Sequence, residues 1–323
     1  MTHRLNSKLA IVAAMILLIS FPSLSVAKYP TKPVKVIVPW AAGGSTDILA
    51  RSMLTVMDKY FPQPMVVINK PGGGGTVGTT QLLMSKPDGY TIGIIAFGPF
   101  VTQPHLKDLK YTENDYIVIC QVSSIPRILI AHPSTPYNNI KEMIEYAKKN
   151  PGKVKAGVSA VGSTGYLAMV QLEMEHDVKF NIIPQGGGGP QKVAVLGGHI
   201  DVAPTTAGEG GPLVTAKQVK ALCVMDNKRF TDIPDIPTGE ELGVPIESGV
   251  IWHAYAPKGT PPDRVKILHD AIKNCLEDKT FQKIAKKLNL GIEYMDPEAS
   301  KKRLDKFRTL YGEIIGKLGL KKK

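Results

Sequence analysis

The sequence predicts an α/β protein of two like domains, each a mainly parallel sheet flanked by helices. Three observations carry this. Short apolar segments of strand length alternate with segments of helical periodicity along almost the whole chain. Turn residues punctuate the alternation. Two passages repeat one pattern: VPWAAGGSTD at 38–47 and AGVSAVGSTGYLAM at 156–169 both run from a strand, through small residues, glycine and Ser-Thr, into a helix.

The elements follow in order. Residues 34–39 are an apolar strand. Residues 47–60 are a helix with Leu49, Met53, Val56 and Tyr60 on one face. Met65–Asn69 is a strand, 76–86 a helix, and Thr91–Ala96 a strand after the Pro87-Asp88-Gly89 turn. Residues 116–122 and 127–131 are two strands, broken at Pro126. Residues 139–149 are a helix stopped by Asn150-Pro151-Gly152. A strand at 154–159, a helix at Thr164–His176 and a strand at 180–184 come next. Segments 190–196, 200–203 and Lys220–Met225 continue the alternation. Residues 250–256 are a late strand, and 261–318 are mostly helical.

The N-terminus has a separate purpose. Arg4 and Lys8 precede the apolar run LAIVAAMILLISF at 9–21, and Ser25-Val26-Ala27 supplies small residues for cleavage. This reads as a signal peptide over 1–27, too short to span a membrane. No Cys stands at the cleavage point, so a lipid anchor is not expected. Cys120, Cys223 and Cys275 form no CxxC pair. Each sits in an apolar stretch and is expected to pack as a small hydrophobe, a single disulfide being the alternative.

Formal net charge is +12, with aromatics at 7%. No motif interleaves aromatic and basic residues, which argues against nucleic acid. A bias toward anionic small molecules remains. Seven histidines are scattered with no HxxxH or HExxH spacing, so neither a metal nor a cofactor is expected. Gly73, Gly75 and Gly78 fit G-x-G-x-x-G after a strand, but no acidic residue follows at the right distance. The run reads as a turn. There is no GxSxG and no P-loop.

The two Gly-rich turns can do more. A helix N-terminus carries unpaired N–H groups and a partial positive charge, and glycine lets a ligand approach it. One such end supplies about 0.3–2 kcal/mol, whereas micromolar affinity needs about 8 kcal/mol. Two turns closing on one anion are therefore expected to act together.

In this order the residues resemble a family. YPTKPVKVIVPWAAGGSTDILAR is followed by VVINKPGGGGTVGTTQLLMSKPDGYTI, AHPSTPYNNIKEMIEYAKKNPGKVKAGVSAVGSTGYLA, VLGGHIDVAP, VKALCVMDNKRFTDIPDIPTGEELG and APKGTPPDRV. Together they are similar to the Bug or TctC family, periplasmic solute receptors of tripartite tricarboxylate transporters. The resemblance covers essentially the whole chain after the signal segment. It implies a two-lobed, type II periplasmic-binding-protein fold that closes on a small carboxylate and passes it to a membrane permease. Binding, not catalysis, is implied, by a monomer in the periplasm. The lobes are expected at 28–126 with 251–323, and at 127–250.

The resemblance places the ligand, partly through water, at Trp40, Ala41, Ala42, Gly43, Gly44, Ser45, Thr46 and Asp47. The matching turn gives Ser159, Ala160, Gly162, Ser163, Thr164 and Tyr166, and the segment after the third strand gives Ala96 and Gly98. Asp47 is expected to cap and brace the first turn. The chain departs from the family in four places. Ala41 and Ala42 replace two prolines. Gln185-Gly186-Gly187 replaces Tyr-Lys-Gly. Thr205 replaces an acidic residue, and Trp252 stands one place later than usual. The implied ligand class is a dicarboxylate, tricarboxylate or aromatic carboxylate. With Gln185 and Thr205 at the pocket, no carboxylate to meet an ammonium and Gly186 in place of a lysine for a third carboxylate, a dicarboxylate or aromatic carboxylate without an amine is expected within it. A secreted α/β hydrolase-like enzyme is the alternative and lacks a nucleophile–base motif. A surface adhesin ranks third, disfavoured by the α/β pattern.

Overall fold

The computed structural model describes residues 29–230 and 233–322. The unit from Lys32 onward carries the fold. The expected signal peptide, 1–27, lies outside the described residues.

The apolar run VKVIV forms β1 (Val34–Val38), buried at all but Lys35. It pairs in parallel with β2 (Met65–Asn69) and β3 (Thr91–Ala96), with Val34 opposite Met65 and Lys35 opposite Thr91. The crossovers hold α1 (Ser45–Leu54) and α2 (Thr76–Leu83). Helix α1 buries Leu49 and Met53, but ends six residues short of the expected Tyr60. Thr55 bonds back to Ser52 O at 2.7 Å, and the β-branched pair Thr55-Val56 gives way to a 3₁₀ turn, Met57–Lys59. Two single-turn helices unread in the sequence follow β3: α3 (Gly98–Val101) and α4 (Gln103–Leu106).

Pro126 does not break the next strand. β4 (Tyr116–Ala131) runs sixteen residues without interruption. Pro126 sits opposite Gly249, at the last register pair with β9 (Gly249–Pro257). From Arg127 onward the strand has other neighbours, so proline's missing N–H falls where the ladder changes partners.

The second half of the fold begins with α5 (Ile140–Lys149), capped by Asn139 through Glu142 N at 2.9 Å. Then come β5 (Lys155–Val158), α6 (Thr164–His176), β6 (Asn181–Pro184), α7 (Gly188–Leu196) and β7 (Val202–Thr206). Helix α8 (Ala207–Thr215) lies where the sequence reading assigned no element. A capping box between Thr206 and Glu209 starts it despite Pro212. β8 (Lys220–Met225) closes this half. The chain returns through β9 to α9 (Pro262–Glu277), α10 (Lys279–Lys287), β10 (Ile292–Met295) and α11 (Pro297–Lys317). The helical tail thus contains one strand that its sequence did not signal.

Among the described residues ten strands join in one sheet: eight follow the path β2-β1-β3-β9-β4-β7-β5-β6, and β8 and β10 pair on β4 off that path. The expected parallel pairing holds in β2-β1-β3 and in β6-β5-β7; every partner of β4 is antiparallel. Two apolar clusters lie on either side of the exchange. One gathers Ile37, Leu82, Ile95, Phe100, Tyr255 and Leu304. The other gathers Leu129, Ile140, Met143, Leu172, Val202 and Leu222. The fold is two-lobed α/β, with β4 as the strand common to both halves.

Candidate functional site

The turn after β1 is built to hold its backbone open. Gly43 has φ +77, a conformation that side chains rarely adopt. Asp47 then ties the turn down. Its Oδ2 accepts from Gly43 N at 3.0 Å, and its Oδ1 accepts from Arg51 Nε and Asn69 Nδ2, both at 2.9 Å. On the other half, Ser163 caps α6 by accepting from Tyr166 N at 3.2 Å, after Gly162 at φ +74.

These turns face one cavity of about 60 Å³. That exceeds the ~10–15 Å³ one water needs and falls far below the ~300 Å³ of a typical ligand pocket. Of the expected residues, Trp40, Gly44, Ser45, Thr46, Ala96, Gly98, Ser159, Gly162, Ser163 and Thr164 line it. Ala41, Ala42, Gly43, Asp47, Ala160, Tyr166, Gln185 and Thr205 stand outside the lining. Each has a physical reason where a side chain decides it. Tyr166 packs on the apolar cluster of the second half. Gln185 turns its amide back to Ile183 O at 3.2 Å. Thr205 is fully buried, and its hydroxyl points to Ile128 O at 3.4 Å.

Phe97, in the segment expected after the third strand, and Trp252, noted above as displaced by one place, also line it. The structure adds Gly74, Gln103, Arg127, Gly188, Gln191, Thr206, Glu209 and Val250, which the sequence reading passed over. Four helices of eight residues or more begin at this cavity: α1 at Ser45-Thr46, α6 at Thr164, α7 at Gly188 and α8 after Thr206. Trp252 Nε1 donates to Thr46 Oγ1 at 2.8 Å. Arg127 is buried among neutral oxygens, and desolvation lowers its pKa, with Glu209 partly offsetting. Glu209 was findable: Thr206-Ala207-Gly208-Glu209 is a capping-box pattern. Arg127 carried no signal beyond being a charge in an apolar run.

The two halves are already in contact. Glu209 Oε1 accepts from Ser45 N at 2.8 Å, and the Ser45 and Thr206 hydroxyls share a hydrogen bond. Thr102 Oγ1 donates to Gly162 O at 2.6 Å, and Gln103 Nε2 to Val161 O at 2.9 Å. The ground for expecting no amine in the ligand therefore shifts. Thr205 is not in the pocket, and a carboxylate, Glu209, is.

Similarity to known proteins agrees with this geometry. A family profile described as the tripartite tricarboxylate transporter family receptor, TctC, matches residues 49–320. A UPF0065 protein of Bordetella pertussis is 31% identical over 96% of this chain and 96% of its own length. Another, of Cupriavidus necator, is 33% identical over 91% and 90%. The structure of the periplasmic binding protein BugD superposes with a TM-score of 0.86 at 35% identity, covering 91% of this chain and all of BugD. The chain thus belongs to the TctC family of tripartite tricarboxylate transporter receptors, periplasmic solute-binding proteins and not enzymes.

Proposed function

We propose that this protein is exported by a cleaved signal peptide over 1–27 and captures a small carboxylate, delivering it as a monomer to the membrane subunits of a tripartite tricarboxylate transporter. Dicarboxylates, tricarboxylates and aromatic carboxylates are the class. The observation that carries the reading is the convergence of four helix N-termini on one cavity. Each contributes partial positive charge, and although Glu209 takes the Ser45 N–H at α1 and the Thr206 N–H at α8, the four ends together suit an oxygen-rich anion.

The lobes in this reading are 28–126 with 251–323, and 127–250. The change of partners on β4 at Pro126 and Arg127 supports that division. A cavity of about 60 Å³ is small for a six-carbon acid, so in this reading the lobes part to admit the ligand and close on it. Mass spectrometry of small molecules released from protein purified without unfolding tests the ligand. Small-angle scattering with and without that ligand tests the closure. Release of a nucleotide or sugar with no carboxylate would overturn the reading.

A further inference from the structure

Two polar groups in the cleft wall lie outside both Gly-rich turns and are incompletely matched. Arg127 is only 6% exposed. Its Nε donates to Thr164 Oγ1 at 3.1 Å and its Nη1 to Pro204 O at 2.9 Å, both neutral oxygens. No carboxylate among the described residues comes within 4.0 Å of it. A buried guanidinium in this state has its charge uncompensated at close range.

Gln191 is fully buried beside it. Its Nε2 donates to Gly157 O at 2.8 Å and stands 3.5 Å from Pro204 O. Two carbonyls around one amide atom fix that atom as nitrogen. Oε1 is then the other atom, and it has no hydrogen-bond partner. Both side chains line the same cavity and both reach the one carbonyl, Pro204 O. A cation with no carboxylate in direct contact and an acceptor lacking a donor thus stand side by side.

We propose that Arg127 and Gln191 determine specificity in this cleft: Arg127 anchors the ligand's carboxylate, and Gln191 Oε1 accepts from a hydroxyl or ammonium one or two carbons away. The short separation of the two heads sets the short separation in the ligand. The ligand class narrows to 2- or 3-hydroxy and amino carboxylates. Trp40 Nε1, also unpartnered, lines the same cavity and offers a further donor to an oxygen-rich ligand. This inference rests on the solute-receptor reading above.

Calorimetric titration with matched acids tests it: succinate against malate, propionate against lactate, glutarate against glutamate. In wild-type protein at least one substituted acid binds about tenfold or more tighter than its plain partner, since only it satisfies the buried acceptor. Gln191→Leu brings that ratio close to one. A purely structural role for Gln191 would instead lower both members alike. Arg127→Lys weakens both members by about tenfold or more, because lysine lacks the planar fork. Equal binding within every pair in wild-type protein overturns the inference while leaving the receptor reading intact. So does an unchanged ratio in Gln191→Leu. If Arg127→Lys does not fold by circular dichroism, the Gln191→Leu ratio decides alone. No response to any of the six acids overturns this inference, while the receptor reading stands or falls on the ligand that mass spectrometry identifies.

Discussion

Glu209 Oε1 accepts the backbone N–H of Ser45 at 2.8 Å, so a side chain from α8 caps the N-terminus of α1 on the other half of the fold. The same carboxylate closes its own capping box, with Oε2 accepting from Thr206 N at 3.3 Å and Thr206 Oγ1 at 3.1 Å. One fixed negative charge therefore serves two helix ends that a ligand anion would otherwise use.

Replacing Glu209 by Gln keeps the shape and removes the charge. Stability should fall by about 0.5–2 kcal/mol, the usual range for a lost cap and its helix-end charge. Affinity for a dicarboxylate should rise, because its second anion no longer meets a fixed one. Urea unfolding and titration with succinate measure the two effects. Unchanged succinate affinity would show that the Glu209 charge is not felt in the cleft.

Gly44 has φ −83, so a side chain there causes no backbone strain. A Cβ would nonetheless stand 3.3 Å from Gly189 N and 3.5 Å from Glu209 Oε1. Ala at 44 fits by small shifts, whereas the branches of Val must enter the contact between the halves. Gly44→Val should keep native circular dichroism and lose ligand binding. Wild-type affinity in the folded variant would move the site elsewhere.

Ser163 spends its hydroxyl oxygen on Tyr166 N. Ser163→Ala should cost about 0.5–2 kcal/mol of stability as a lost N-cap. It should also weaken binding by about 0.5–1.5 kcal/mol if the hydroxyl proton is shared with the ligand. Chemical denaturation and calorimetry on one preparation separate the two.

Much of this was readable in the chain, because local rules governed it. The runs VKVIV and MVVIN became β1 and β2 over almost the expected residues, and Ser163 caps the expected helix. What failed was decided at long range. Pro126 was read as a break because the strand's change of neighbours is invisible from sequence. The strand at Ile292–Met295 exists only because β4 offers an edge. Arg127 looked like an ordinary strand charge, since nothing local says that Thr164 and Pro204, far along the chain, enclose it. Thr205 and Thr206 are neighbours on a strand whose side chains alternate, so one faces Ile128 and the other the cleft.

The cysteines were expected to pack as small hydrophobes, and all three are free and buried. Burial raises all three thiols, Cys223 and Cys275 to about 12. Ellman's reagent should therefore find no reactive thiol in native protein and three in denaturant, and reductant should leave the melting temperature unchanged. A native titre of one would place a thiol at the surface.

The last prediction concerns acid. His253 is fully buried on β9, and neither ring nitrogen has a partner. Desolvation, with the Arg303 charge adding to it, lowers its pKa to about 3. In the unfolded chain the same ring titrates near about 6.5. The folded state thus holds the ring neutral while the unfolded state takes up a proton below that value. The stabilisation is complete above pH ~6.5 and drains as pH falls toward ~3, by up to about 1.4 kcal/mol per unit. Between pH 7 and pH 5 this ring alone should cost the wild-type protein about 2 kcal/mol. His253→Leu keeps similar volume and forfeits no hydrogen bond, so it should match or exceed wild-type stability at pH 7. At pH 5 its advantage should grow by that amount. Urea denaturation of both proteins at the two pH values measures the difference, in which other titrating groups cancel. Parallel acid limbs for the two proteins would mean that His253 is charged, or already accessible to protons, in the folded state.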